Sequence, residues 1–329
     1  MPQPIGTNLH TSVPLTNISI AYQQTQPWIA DKVFPIVPVS KQFDSYYKYI
    51  KGEWFRTVGE ERAPSTESVG TGWNTTTDTY GCRVYAVHKD IDDQARANVD
   101  VQFNLDRDAT QLVTNDLLLG REKRWFSTYW NATTWATTAA GTTATSGLSE
   151  GQFTKLSTTT GDPISNVMNQ CLRMKVLTGM RPNTMVVTPQ VHIALVNHPA
   201  IIERIKYTQS GFVTEQLLAS AFGVGRYMVA EALENTAKET ADATASANTS
   251  MSFVASEGIL LLYVAPNPGL LTVSAGYTFA WTGYLGNAFG TTVSKFRQDN
   301  IKSDRIEAEI AYDMKVVAAD CGLWLDDPI

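Results

Sequence analysis

Polar and apolar residues alternate strictly between positions 305 and 316. Ile306, Ala308, Ile310, Tyr312, Met314 and Val316 fall on one side, and Arg305, Glu307, Glu309, Ala311, Asp313 and Lys315 on the other. A period of two marks a strand with one buried face, which at 3.3 Å per residue would run for about 40 Å. Residues 291–297 are expected to pair with it across the polar turn Lys302-Ser303-Asp304. The periodicity changes at 104–130. There Leu105, Ala109, Leu112, Val113, Leu117, Leu119, Trp125, Phe126 and Tyr129 recur at helical spacing, with Asn104 or Asp106 placed to cap the start. Arg121, Lys123 and Arg124 lie toward the end, where cations suit the helix dipole. Such a helix is also about 40 Å long. The matched lengths predict that it packs along the hairpin.

Between 162 and 223 the signals are shorter. Asp162-Pro163 opens a helix that Gly179 ends, and residues 184–187 form a short buried strand. Thr188-Pro189, His198-Pro199 and Thr214 each start a further short helix, the last stopping at Gly223. Strands alternating with short helices indicate a mixed lobe with its own core. The apolar run 259–265 reads as a buried strand, too short to span a bilayer. Thr-, Ala-, Ser- and Gly-rich stretches at 131–161 and 236–250 read as exposed loops or hairpin tips.

The first ninety residues fit neither core. Pro2, Pro4, Pro14, Pro27, Pro35 and Pro38 favour an extended arm, yet Ile18, Ile20, Tyr22, Trp28, Ile29, Val33, Phe34 and Ile36 make it adhesive. It must lie on the chain's own body or on a neighbouring subunit. Residues 43–91 suggest two strand-forming flanks around a polar tip. Tyr46, Tyr47, Tyr49, Ile50, Trp54 and Phe55 lead out, and Val84, Tyr85, Val87 and Ile91 return. A loop this long is uncommon unless it has a role.

Composition narrows the function. The chain has 329 residues, 26 basic against 32 acidic, for a net charge of −6, with 43% hydrophobic and 18% charged residues. That is a globular balance, and it disfavours sequence-specific nucleic-acid binding, which needs a basic surface. Cys82, Cys171 and Cys321 form no CxxC pair, and no secretory leader is visible. His10, His88, His192 and His198 lack metal-ligand spacing. Gly223 and Gly225 form only a GxG, and Glu60-Glu61 and Asp92-Asp93 read as solvated faces. A soluble hydrolase would need a nucleophile–base pair, which the sequence does not offer. No catalytic residue, metal or cofactor is implied. The surplus of protruding elements instead suits an interlocked assembly.

Several runs carry a resemblance: Arg62-Ala63-Pro64, TDTY at 77–80, HKDI at 88–91, DRDAT at 106–110, NHPAIIERIKYT at 197–208 and IKSDRIEAEIAYDMKVVAAD at 301–320. With LLLYVAPNPGL and SAGYTFAW between 260 and 281, they resemble, in order, major capsid proteins of tailed double-stranded DNA bacteriophages (the capsid protein E-like family). The resemblance implies an α+β, Hong Kong 97-like capsid fold. Its parts would be an N-terminal arm (1–42), an extended loop (43–90), a peripheral domain (91–181) with a spine helix at 104–130, an α/β axial domain (182–285), and a peripheral hairpin with the C-terminus (286–329). It implies hexamers and pentamers of an icosahedral head, located in the virion and, during assembly, in the host cytoplasm. The shell encloses double-stranded DNA without reading its sequence and involves no membrane. A portal and a decoration protein are implied partners. The lack of a long charged N-terminal extension implies a separate scaffolding protein. The shell of an encapsulin-like cellular nanocompartment is the alternative.

Some relatives crosslink subunits through a loop lysine. Lys48 and Lys51 lie in the loop flanks rather than at its tip, so non-covalent lacing is expected. Trp54, Phe55, Arg62 and Trp73 in the loop, with Trp28 and Phe34 in the arm, are the expected subunit-contact residues, since aromatics and Arg dominate interfaces. Trp54 and Phe55 could equally cover the hairpin base.

Overall fold

A computed structural model describes residues 28–99, 104–206, 213–237, 250–269, 271–285 and 292–329. Most of the expected arm, including Ile18, Ile20, Tyr22 and His10, lies outside the described residues, as does most of the 236–250 loop. From Trp28 the chain makes one helical turn, α1 (Ala30–Val33), then the short strand β1 (Ile36–Val39). It runs out as β2 (Phe43–Tyr49), makes a turn of helix, α2 (Lys51–Trp54), and returns as β3 (Thr75–Gly81). Next come β4 (Arg83–Asp92), α3 (Asp93–Asn98) and the 25-residue α4 (Leu105–Tyr129). The mixed lobe follows with β5 (Thr137–Thr142), β6 (Gln152–Thr154), α5 (Pro163–Thr178), β7 (Thr184–Val187), α6 (Pro189–Val196), α7 (Pro199–Ile205), α8 (Glu215–Phe222) and β8 (Arg226–Val229). After the small hairpin β9 (Leu233–Asn235) and β10 (Met251–Phe253) come β11 (Ile259–Leu262), β12 (Gly276–Trp281), α9 (Thr282–Leu285), β13 (Thr292–Gln298), β14 (Ser303–Val316) and β15 (Gly322–Asp326).

Two larger sheets organise these elements. In the five-stranded sheet, β14 pairs with β4 on one edge and with β13, then β12, on the other; β1 adds in parallel to β12. β1 is an edge strand among the described residues, which is where Pro38, lacking an N–H, is tolerated. The alternation read at 305–316 is seen directly: Ile306, Ala308, Ile310, Tyr312 and Met314 are buried beneath α4. Asn104 accepts from the Arg107 N–H at the start of α4, and Tyr129 near its end donates to the Met314 carbonyl. Helix and hairpin therefore pack along each other as expected.

The basic residues late in α4 do not serve its dipole. Arg121 is buried and paired with Asp31, Lys123 pairs with Glu234, and Arg124 donates to the Tyr312 hydroxyl at 2.8 Å. Each ties the helix to a different neighbour.

The second sheet has the order β6-β5-β15-β11-β7-β8. It corrects two expectations. Residues 131–161 are not simply exposed loop: β5 and β6 belong to this sheet, and Trp135, Ala139, Phe153 and Leu156 are buried. The lobe expected at 182–285 also takes β15 from the far end of the chain, while β12 leaves it for the other sheet. The helix signals held their places. The Asp162 carboxylate caps α5 through the N–H groups of Ile164 and Ser165, and Gly179 ends it at φ +75°, a conformation natural to glycine.

Candidate functional site

The element that the body of the chain does not absorb is the hairpin of β2 and β3 with its apex. Its root is fixed firmly. Tyr80 stacks on Phe279 of β12 with ring centroids 4.6 Å apart, and Tyr46 packs on the same ring at 5.4 Å. Beside them Cys82 is fully buried, and burial pushes its thiol up to about 12. The Gly81 N–H donates to Asp313 at 2.9 Å. Within the hairpin, Tyr46 and Lys48 both donate to Asp78, at 3.0 and 2.9 Å, and the Lys48 ammonium foremost draws that carboxyl down to about 2.

One expectation fails at this root. Val84, Tyr85, Val87 and Ile91 do not return the loop; they lie in β4, paired with β14, and β3 is the returning strand. Thr75–Gly81 is rich in threonine rather than large apolar residues, and its partner strand, not its own sequence, supplies the covered surface.

Beyond Tyr49 the chain departs from strand. Glu53 accepts from the backbone and side-chain N–H groups of Asn74, which closes the neck of the apex. Lys51 pairs with Asp320 at 2.5 Å, and the Phe55 ring lies over Gly179, where a Cβ would come within 2.5 Å of it. Trp54 stands between Tyr49, edge-on at 5.9 Å, and Trp73 at 6.5 Å. The structure brings Trp54, Phe55 and Trp73 into one region yet leaves them 55, 64 and 65% exposed. Arg62 sits further out and bonds only locally, from Nε to the Thr66 carbonyl.

The arm residues divide. Trp28 is partly buried. Phe34 is fully buried in its own chain, edge-on to Trp125 at 5.7 Å and against Tyr129 at 5.0 Å. Its ring fills the space above Gly276, so it is a core residue and not a subunit contact. The sequence offered no hint of what holds this segment. Buried Glu122 accepts from the N–H groups of Ile29 and Ala30 at 2.8 and 3.0 Å, while its neighbour Arg121 pairs with Asp31. Burial raises the Glu122 and Asp31 carboxyls above their ordinary values. Glu122 lies between two basic residues in a helix and looks solvated in sequence.

Among the described residues no group of three or more His, Cys, Asp or Glu could hold a metal ion, and no helix is long and apolar enough to cross a membrane.

A long helix laid along a long hairpin, a projecting loop and a separate α/β lobe together make the Hong Kong 97-like fold of phage capsid shells. The similarity extends over nearly the whole chain. A phage-related protein from Bordetella bronchiseptica matches with TM-score 0.65 and 20% identity over 93% of both chains. The capsid of cyanophage P-SCSP1u matches with TM-score 0.60 and 11% identity over 97% of this chain and 93% of that one, and the capsid of Myoviridae phage XM1 with 0.54 and 12% over 98% of both. In sequence, the chain is also similar to phage major capsid proteins. It is 28% identical over 226 residues to that of Burkholderia phage BcepMu, covering 67% of this chain and 68% of the relative. It is 29% identical over 233 residues to that of Pseudomonas phage JBD67, covering 68 and 69%. No protein-family model matches the chain.

Proposed function

We propose that this chain is the shell subunit of a tailed-phage head, assembling with copies of itself into the hexamers and pentamers of an icosahedral container for double-stranded DNA. The observation that carries this reading is the projecting loop, whose Trp54, Phe55 and Trp73 stay exposed on a fold shared with phage capsids. Exposed aromatics grouped on a protrusion are what a neighbouring subunit would cover. Trp28, Trp54, Phe55, Arg62 and Trp73 are the proposed contacts. The role is structural rather than catalytic. A scaffolding protein and a portal, and in some heads a decoration protein, would complete the assembly. It would take place in the host cytoplasm and end in the virion.

A net charge of −6 suits a wall that must not grip the DNA pressed against it. Lys48 and Lys51 are engaged by Asp78 and Asp320, which favours non-covalent lacing over a lysine crosslink. The cellular nanocompartment reading is not favoured, because both curated relatives are phage major capsid proteins. Negative-stain microscopy of the expressed protein tests the proposal: closed shells are expected, and a species that sediments only as a single chain under every assembly condition refutes it.

A further inference from the structure

An open groove of about 900 Å³ lies between the root of the β2–β3 hairpin and the flank of α4 and β14. Three cations line it, each from a different element: Arg83 of β4, Arg124 of α4 and Lys315 of β14. Arg124 is fixed in place, with its guanidinium 3.7 Å over the Tyr85 ring and Nη1 donating to the Tyr312 hydroxyl. The donors on Nε and Nη2 are left without a bond among the described residues. Arg83 is exposed, Lys315 half-buried, and neither forms an ion pair among the described residues. The Ser45 and Thr128 side chains border the same space.

Two carboxylates share the groove, and neither satisfies these donors. Asp44 is paired with Lys41 at 3.1 Å. Asp313 accepts from the Gly81 N–H at 2.9 Å, and burial holds its carboxyl above the ordinary value, against the pull of that bond and of Lys315 and Arg83. Three positive groups with spare N–H donors therefore face one carboxylate that is already hydrogen-bonded. A further anion would complete the site. A carboxylate presents two oxygens in one plane, whereas a phosphate group is tetrahedral and can meet donors arriving from three elements. The volume suits such a group with its substituent, since small-molecule sites span about 300–1,000 Å³.

We infer that the Arg83/Arg124/Lys315 groove is a binding site for a phosphate group, carried either by a small phosphorylated molecule or by a nucleic-acid backbone. The site belongs to the single chain and does not depend on the shell-subunit reading. Ser45 lies on the projecting hairpin, and Arg124 and Thr128 lie on α4. An anion held between them ties the hairpin root to the body and stabilises that arrangement by mass action.

Titration calorimetry of the full-length soluble chain with inorganic pyrophosphate tests the inference. Saturable binding is expected in wild type. A hydrogen bond to a charged group is strong enough that R83Q should weaken binding by about tenfold, and R83Q/K315Q by more. R107Q/K175Q removes the same charge as that double from exposed positions outside the groove, and should bind within about threefold of wild type. Because Arg83 is exposed and outside any ion pair among the described residues, R83Q should keep the wild-type urea transition, which separates lost binding from lost fold. The absence of saturable binding up to about 10 mM overturns the inference. So does an affinity unchanged in R83Q/K315Q, or one lost equally in R107Q/K175Q. A hexaglutamate peptide bound as tightly as pyrophosphate overturns the choice of phosphate. Two further ligands identify the source: tighter binding of thymidine monophosphate supports a small phosphorylated molecule, and tighter binding of thymidylyl-thymidine, whose one phosphate is a diester, supports a nucleic-acid backbone.

Discussion

Replacing Phe34 with alanine separates two roles that look identical in sequence. As a subunit contact, Phe34 would matter to assembly and leave the isolated subunit unchanged. The structure assigns it to the core. Its ring is fully buried between Trp125 and Tyr129 and lies directly on Gly276, which has no side chain to fill the gap. Trp125 is itself wedged against Phe126 at 4.9 Å and Trp130 at 6.3 Å, so the cavity left by F34A cannot readily collapse. Deleting a fully buried aromatic ring into a rigid cavity costs about 3–5 kcal/mol, against a total stability of roughly 5–15 kcal/mol for a typical domain. Urea unfolding of the soluble subunit, followed by tryptophan fluorescence, should show the midpoint falling with an unchanged slope. A loss of less than about 1 kcal/mol, accompanied by failed assembly, would refute the core assignment and restore the contact role.

Three further outcomes follow from the same interior. The Glu122 carboxyl is raised above its ordinary 4.5, so the folded state holds its proton more tightly than the unfolded one. Its contribution to stability is thus full below pH 4.5 and falls as pH rises through the folded value; E122Q, which cannot titrate, should cost most in acid and progressively less toward neutrality. Urea midpoints at several pH values check this, and a penalty that grows with pH contradicts it. G276A should destabilise by about 1–3 kcal/mol through overpacking, because a Cβ would lie 2.5 Å from the Phe34 ring; pairing it with F34A should recover part of that loss in the same urea assay. Cys82, Cys171 and Cys321 are buried, with thiols pushed up to about 12, 11 and 11, so a thiol reagent at pH 8 should modify none of them until urea unfolds the chain.

Elements whose burial pattern is local were legible in the sequence. The alternation in β14 needs only its own residues, and the Asp162-Pro163 and Gly179 punctuation of α5 is a matter of backbone chemistry. What escaped depended on distant partners. β5 reads Thr-Thr-Ala-Ala-Gly-Thr and looks like a loop; it becomes a strand because β15, almost two hundred residues later, lies parallel beside it. Val84–Ile91 has strong strand character, but nothing in it says that the partner is β14 rather than β2. Phe34 and Trp54 are alike as symbols, yet one meets Trp125 and the other meets solvent. At the loop, the aromatic residues were visible in sequence, whereas the closure of its neck by Glu53 on Asn74 was not, since the two lie 21 residues apart.

The place of β15 bears on how the subunit is made. It is the third strand of six, with β5 on one side and β11 on the other, so before it arrives the lobe is two half-sheets with facing unpaired edges. A ribosome-bound chain in which residues 322–326 have not emerged cannot close that gap, and its exposed strand edges invite pairing with the wrong chain. Closing it requires a contact of very large sequence separation, which makes folding slow compared with helix formation. Of the described strands β15 is the last to be synthesised, and the six-stranded sheet is incomplete until it is placed.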